Sequence, residues 1–252
     1  SRSATMKAIR AAASSRVADW QQTVNNTLSN WMPGDDSKKV PPTEAAPKRL
    51  FGAPLGPTPP PFLEKTLSFL ESHGKETQGL FRIPGNHETV QQLKRTFEQD
   101  INDEFCFPPG TQVNDVAGLL KLWFREMPEP LLTHDLYPRI LSVIAASENE
   151  QVRVASMREV LSGLPQPNLR VARRLVVFLR SVAAQSEVNK MCAANLAMVF
   201  APNIMHGRDE TPVETASNAA HVNAAVKLII EHMEEVLPPA PSDVYSRAPV
   251  DS

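Results

Sequence analysis

The chain has 252 residues, 42% hydrophobic and 21% charged, the balance of a soluble globular protein with one or two domains. Ten glycines against 23 prolines argue against a glycine-turned all-β sandwich and against a Rossmann-type nucleotide binder. A net charge of −2 supplies no global basic field for nucleic acid or a membrane, and two cysteines fit a reducing compartment rather than a disulfide framework.

The first element in chain order is amphipathic. Met6, Ile9, Ala13, Val17, Trp20, Val24, Leu28 and Trp31 recur every three or four residues, which predicts a helix of roughly seven turns within residues 1–32. Its basic first half, with Arg2, Lys7, Arg10 and Arg16 and no acid before Asp19, leaves three readings open: docking or self-association, contact with a membrane surface, or a transit segment. No apolar core of signal-peptide length follows the basic residues, and no apolar run reaches the roughly 18 residues of a membrane span. Residues 33–50 read as a Pro-rich linker, because such a segment buries too little apolar surface to order itself. Just beyond it, Pro57-Thr58-Pro59-Pro60-Pro61 carries a Pro-x-x-Pro spacing that fits either a stiff spacer or an SH3-type ligand.

Residues 51–237 read as one all-α domain, with a disordered tail at 238–252 opened by Pro238, Pro239 and Pro241. Leu63, Leu67 and Leu70 mark a helix that stops at His73-Gly74. Val90, Leu93 and Phe97 mark the next, with Asn86 as its N-cap. A third runs from Val116 to Met127, with Asp115 before it and Pro128 after it. Leu136 to Ile144, Val152 to Leu161, Leu169 to Val182, Met191 to Phe200 and Ala216 to Val236 complete the set. Leu169 to Val182 is apolar around much of its circumference and so is expected to be central. No segment alternates as a strand does.

The enzyme motifs that would mark a self-contained catalytic centre are missing. Gly79 and Gly85 are one residue too far apart for a P-loop, and there is no Gly-x-Gly-x-x-Gly, Gly-x-Ser-x-Gly or His-Glu-x-x-His. No Cys or His pair has zinc-ligand spacing.

Three segments break the amphipathic pattern. In Gly79-Leu80-Phe81-Arg82-Ile83-Pro84-Gly85 an arginine sits in a short apolar loop between two glycines that permit tight turns. Leu80, Phe81 and Ile83 are expected to anchor the loop while Arg82 points outward. A positioned guanidinium suits phosphate oxygens; the competing reading is a bridge to a carboxylate or a helix end. Lys121 and Arg125, four apart, project from one helix face. They suit an external anion, or else form a solvated edge with Glu126 or Glu129 as local partners. Asn195 interrupts an apolar helix and serves either as a satisfied core amide or in binding, while Asn203 after Pro202 favours a turn or a cap.

Taken together and in this order, these segments resemble the GTPase-activating domain of Rho-family GTPase-activating proteins (RhoGAP). The resemblance runs from Phe51-Gly52-Ala53-Pro54-Leu55 to about Leu237, and includes the Lys121 to Leu131 run and Val188-Asn189-Lys190-Met191 followed by Asn195-Leu196-Ala197. Each motif alone is weak; three in register at family spacing are specific. The resemblance implies an all-helical domain that docks on a GTP-bound Rho- or Rac-type small GTPase and accelerates its GTP hydrolysis. By it, Arg82 would be an arginine finger acting in trans, a contribution of roughly 10³–10⁵ in rate, with Gly79, Phe81 and Gly85 supporting its loop. Lys121, Arg125, Asn195 and Asn203 would contact the partner, with the basic pair also supporting the finger. GTP and Mg²⁺ would belong to the partner, so no cofactor and no metal is expected in this chain, nor any nucleic acid. The expected location is the cytoplasm, with peripheral membrane contact through residues 1–31 left open. A non-catalytic GTPase-binding module, or a helical scaffold of the same fold, is the alternative. Pro84, Met127, Phe178 and Ala201 depart from the common pattern without removing a charge from the expected site, which leaves partner preference more open than activity.

Overall fold

A computed structural model of the chain describes residues 49–99 and 106–237, so the N-terminal amphipathic segment, nearly all of the Pro-rich linker and the 238–252 tail lie outside the described residues. The described part is all-α, with no strand. Ten helices follow in order: α1 Pro61–His73, α2 His87–Gln99, α3 Val113–Glu126, α4 Tyr137–Ala146, α5 Glu150–Leu161, α6 Gln166–Ala183, α7 Ser186–Asn189, α8 Ala193–Ile204, α9 Pro212–Glu231 and α10 Met233–Val236. Among the described residues no helix is long and apolar enough to cross a membrane.

Local chemistry sets most of the boundaries. Proline at the first or second position opens α1, α4, α6 and α9, where its missing N–H leaves nothing unsatisfied. The Asn86 side chain accepts from Thr89 N–H at 3.1 Å and caps α2, as its position predicted. Asn149 caps α5 in the same way through Val152 N–H, and Thr211 with Glu214 forms a reciprocal capping box on α9. Some boundaries differ from the sequence expectation. α3 starts three residues earlier, which puts Asp115 inside its first turn rather than before it. α8 carries Pro202 within it and runs on to Ile204, because a proline in the last turn removes only one intrahelical bond. The final segment is two helices broken at His232, not one.

One continuous core joins these elements. α6 lies at its centre, packed against α1, α8, α9 and α10, and buries Leu169, Val171, Leu175, Phe178, Leu179 and Val182. α3 packs on α1, α2 and α8. An aromatic cluster seals the α1–α2–α3 side: Phe62 meets Phe51, Phe97 and Trp123 at ring distances of 5.3, 4.9 and 5.6 Å. Trp123 Nε1 donates to Leu50 O at 3.2 Å, so the Phe51-Gly52 entry segment is tied down by α3. Each large apolar side chain removed from water contributes about 1.5–3 kcal/mol, which makes this core the main source of stability. Polar crosslinks add register. Arg174 of α6 holds Glu64 through Nε at 3.0 Å and Glu71 at 2.9 Å, both on α1. Burial works against its charge, yet the Glu71 hydrogen bond and the Glu64 carboxylate hold the guanidinium above its ordinary range.

Candidate functional site

The loop between α1 and α2 is fixed at both ends before any ligand arrives. On the N-terminal side, Gly79 N–H donates to Asn189 O at 2.8 Å. Gly79 sits at φ +71°, so its backbone requires glycine; a Cβ there would also meet the Ile83 side chain at 2.9 Å, which is exposed and can turn aside. Arg82 N–H and Ile83 N–H both donate back to Gly79 O at 2.9 Å, closing a tight turn. On the C-terminal side, Asn86 N–H donates to the buried Asp115 carboxylate at 2.6 Å, and Gly85 lies against the start of α3.

Between these anchors, Phe81 takes φ +68°, a left-handed conformation that costs a bulky residue about 1–3 kcal/mol. What holds it there is packing on one side and a hydrogen bond on the other. The Phe81 ring is fully buried, edge-on to Phe200 at 4.7 Å and to Phe178 at 5.9 Å. Its carbonyl accepts from Lys121 Nζ at 2.5 Å. The geometric result is that the next residue, Arg82, is turned out to solvent. Its guanidinium makes no hydrogen bond or ion pair among the described residues. Leu80 and Phe81 anchor the loop as expected, but Ile83 does not: it is 45% exposed and packs locally over Gly79.

Lys121 is half-buried, and burial, followed by the charge of Arg125, pulls its ammonium below the ordinary lysine range. Arg125 is exposed one turn further along α3. The acids that could have neutralised this pair are engaged elsewhere. Glu126 pairs with Lys94 at 2.6 Å, and Glu129 accepts from His134 N–H at 2.7 Å and lies 3.8 Å from Arg208. Arg82, Lys121 and Arg125 therefore form a cationic group with no carboxylate partner among the described residues, the arrangement an anionic ligand would complete. Among the described residues no group of His, Cys, Asp and Glu is placed to hold a metal ion.

Asn195 is not a core amide. It lies partly exposed on α8 and donates through Nδ2 to Lys190 O at 3.0 Å. Lys190 itself is left-handed, at φ +60°. The turn at 189–190 thus touches both the arginine loop, through Asn189 O, and Asn195, through Lys190 O. Asn203 stands apart: it lies in the last turn of α8, neither a turn residue nor a cap, and donates to Val199 O of its own helix at 2.8 Å. Two further residues take positions that the sequence reading left without a role. Asp115 reaches 29 residues back to Asn86, and Asn189, fully buried, bonds in several directions at once. The latter stands in the Val188-Asn189-Lys190-Met191 run that carries part of the family resemblance, which gave it no role of its own.

The family model described as the RhoGAP domain matches residues 60–209. Rho GTPase-activating protein 1 of Homo sapiens is 33% identical over 223 residues, covering 83% of this chain and 49% of that protein. The Rho GTPase-activating protein gacY of Dictyostelium discoideum is 34% identical over 193 residues, covering 73% of this chain and 26% of that protein. The chain spans about half the length, or less, of these curated relatives. Among solved structures, human Rho GTPase activating protein 15 aligns with a TM-score of 0.67 at 23% identity, covering 76% of this chain and 93% of that one. The BH domain from GRAF, the GTPase regulator associated with focal adhesion kinase, aligns with a TM-score of 0.66 at 24% identity over 75% and 100% of the two chains. At these identities the two structures speak for the fold alone.

Proposed function

The chain belongs to the RhoGAP domain family, and from that premise we propose that it accelerates GTP hydrolysis by a GTP-bound Rho- or Rac-type small GTPase, with Arg82 supplied in trans as the catalytic side chain. The observation that carries this reading is an exposed, unpaired guanidinium at the tip of a loop anchored on both sides and strained at the preceding residue. Such a loop fixes the backbone from which Arg82 projects, so its charge is available when the transferring phosphoryl group becomes more anionic. Its five donors can bridge phosphoryl oxygens while Lys121 holds the backbone behind it. Arg125 and Asn195 extend the same polar surface and are assigned to partner contact. Asn203 is left with the weaker claim, since its amide is spent within α8. GTP and Mg²⁺ are the partner's in this scheme. The lack of an ion pair at Arg82 and Arg125 among the described residues works against a scaffold in which these residues serve as structural bridges.

The test is single-turnover GTP hydrolysis by a panel of Rho-, Rac- and Ras-type GTPases, with wild-type protein and Arg82→Ala. Acceleration of a Rho-family member that drops by roughly 10³-fold or more in the variant, with binding and thermal stability retained, is the expected result. Tight binding without acceleration would replace it with a non-catalytic binding module, and a large loss of stability in Arg82→Ala with unchanged rates would point to a scaffold.

A further inference from the structure

The geometry points to Asn189 as the positioning residue for the arginine loop, acting through its own backbone and never touching the partner. This rests on the proposed GTPase-activating role of Arg82.

Asn189 has no exposed surface at all. Its Nδ2 donates to Lys75 O at 2.7 Å and to Val182 O at 2.8 Å, and its Oδ1 accepts from Met191 N–H at 2.7 Å. Three of the four hydrogen bonds an amide side chain can make are therefore used, each to a different backbone segment. Lys75 belongs to the strand of chain leaving α1, Val182 to the end of α6, and Met191 to the approach to α8. With the side chain locked in this way, the Asn189 carbonyl is fixed in space, and it accepts the Gly79 N–H at 2.8 Å. That bond sets the N-terminal stem of the loop, while Lys121 Nζ sets Phe81 O two residues later. Phe81, in its left-handed conformation, lies between a fixed donor and a fixed acceptor. Release of the Gly79 anchor lets Phe81 relax toward ordinary backbone angles and swings Arg82 out of register. A shift of about 1 Å at a positioned group is enough to cost on the order of 10²-fold in rate.

The same turn also carries the Lys190 carbonyl that Asn195 Nδ2 reaches. Displacement of Asn189 is therefore felt at the arginine loop and at Asn195 together, a coupling that a purely local packing residue would not produce.

The decisive variant is Asn189→Asp, which keeps the shape but replaces two donors with acceptors facing two carbonyls; Asn189→Ala removes the side chain without that repulsion. Asn168→Asp is the matched control, because Asn168 is also buried and donates to Leu131 O at 2.9 Å, away from the loop. Each is assayed by single-turnover GTP hydrolysis on the responsive GTPase over a range of activator concentrations. The expected result is a fall of about 10- to 100-fold in the maximal rate for both Asn189 variants, with the half-saturating concentration within about threefold of wild type. Asn168→Asp should lose stability and keep its rate. Folded Asn189 variants with wild-type maximal rates overturn the inference, and so does a loss that follows melting temperature equally in the Asn189 and Asn168 variants. Where the variants do not fold, amide hydrogen exchange on wild-type protein decides: Gly79 N–H must be strongly protected, and exchange at the rate of an unstructured peptide overturns the inference. Arg82→Ala run in parallel separates the two claims. If it abolishes acceleration while the Asn189 variants keep theirs, the positioning role alone fails. If wild-type protein accelerates no GTPase, the functional reading fails and the Gly79 exchange measurement alone judges the anchor.

Discussion

Gly85 is required for space and not for backbone freedom, unlike Gly79 at the other end of the same loop. Its φ is not positive, but a Cβ there would lie 2.6 Å from Asn114 O, 2.6 Å from Asp115 Oδ1 and 2.7 Å from Asp115 Cα. Two of those three atoms are backbone and cannot rotate aside. Gly85→Ala must therefore push the loop off the first turn of α3 and disturb the 2.6 Å bond from Asn86 N–H to Asp115. Overpacking of this kind costs about 1–3 kcal/mol. Urea unfolding of Gly85→Ala should show that loss, together with a reduced rate of GTP hydrolysis in the assay of Arg82; an unchanged midpoint would mean that α3 can yield. The charged residues at the site carry a similar lesson. Lys121 and Arg125 look equivalent on a helical wheel, yet Lys121 is committed to Phe81 O while Arg125 is exposed and makes no ion pair among the described residues. Lys121→Met should therefore act on the maximal rate, and Arg125→Ala on the half-saturating concentration, when the two are compared in that assay.

At the scale of elements, caps and breaks decide how the loop is presented. α2 begins immediately after the arginine loop, and its first turn is closed by Asn86 through Oδ1 to Thr89 N–H at 3.1 Å. Asn86→Ala removes that acceptor but leaves the backbone N–H that reaches Asp115. The expected cost is about 1 kcal/mol of stability, measured by chemical denaturation, with the rate of GTP hydrolysis changed far less than in the Asn189 variants. α8 shows the opposite case, a proline retained inside a helix. Pro202 in the last turn lets the helix reach Ile204, whose carbonyl accepts Leu132 N–H at 3.0 Å. In this way α8 braces the segment after the Pro128-Glu129-Pro130 run, on the side of the core where Phe200 packs on Phe81.

Across the whole molecule, long-range polar bridges hold the ends of the bundle. His232 marks the break between α9 and α10 and reaches back 82 residues to Glu150 through Nε2 at 2.9 Å, while Nδ1 meets Glu235 at 3.0 Å. Both ring nitrogens facing carboxylates require the imidazolium, since a neutral ring can donate from only one. The Glu235 hydrogen bond, with Glu150 behind it, raises the His232 pKa above its ordinary 6.5 despite an opposing effect of burial. A folded-state pKa raised above the unfolded one gives stability that is complete below about pH 6.5 and is lost as pH rises through the folded value. The melting temperature should therefore decline as pH rises above about 6.5, and part of that decline should disappear in His232→Ala. A slope identical in the variant would remove His232 as its cause. Arg158 lines the same open cavity of about 560 Å³ with Glu150 and Glu235.

The sequence by itself determined the helical class, the approximate extent of most helices and the loop that carries Arg82. Each of these is a local property: apolar spacing at 3.6 residues, prolines and caps at helix starts, and a glycine-bracketed apolar loop read within a few residues. Even the mistakes were local ones, such as Asp115 outside α3, α8 ending at Phe200 and Ile83 as an anchor, where a neighbour in space decided what the neighbouring residues in sequence left open. The tertiary structure alone decided that Arg82, Lys121 and Arg125 have no carboxylate partner among the described residues, because Glu126 and Glu129 turn to Lys94 and His134, and which asparagine carbonyl would meet the loop. The bonds from Lys121 to Phe81, from Asn86 to Asp115 and from Gly79 to Asn189 span 40, 29 and 110 residues. Hydrogen bonds of a few ångströms between segments so far apart exist only after α1, α3, α6 and α8 have packed around one core, and no window along the chain contains both partners.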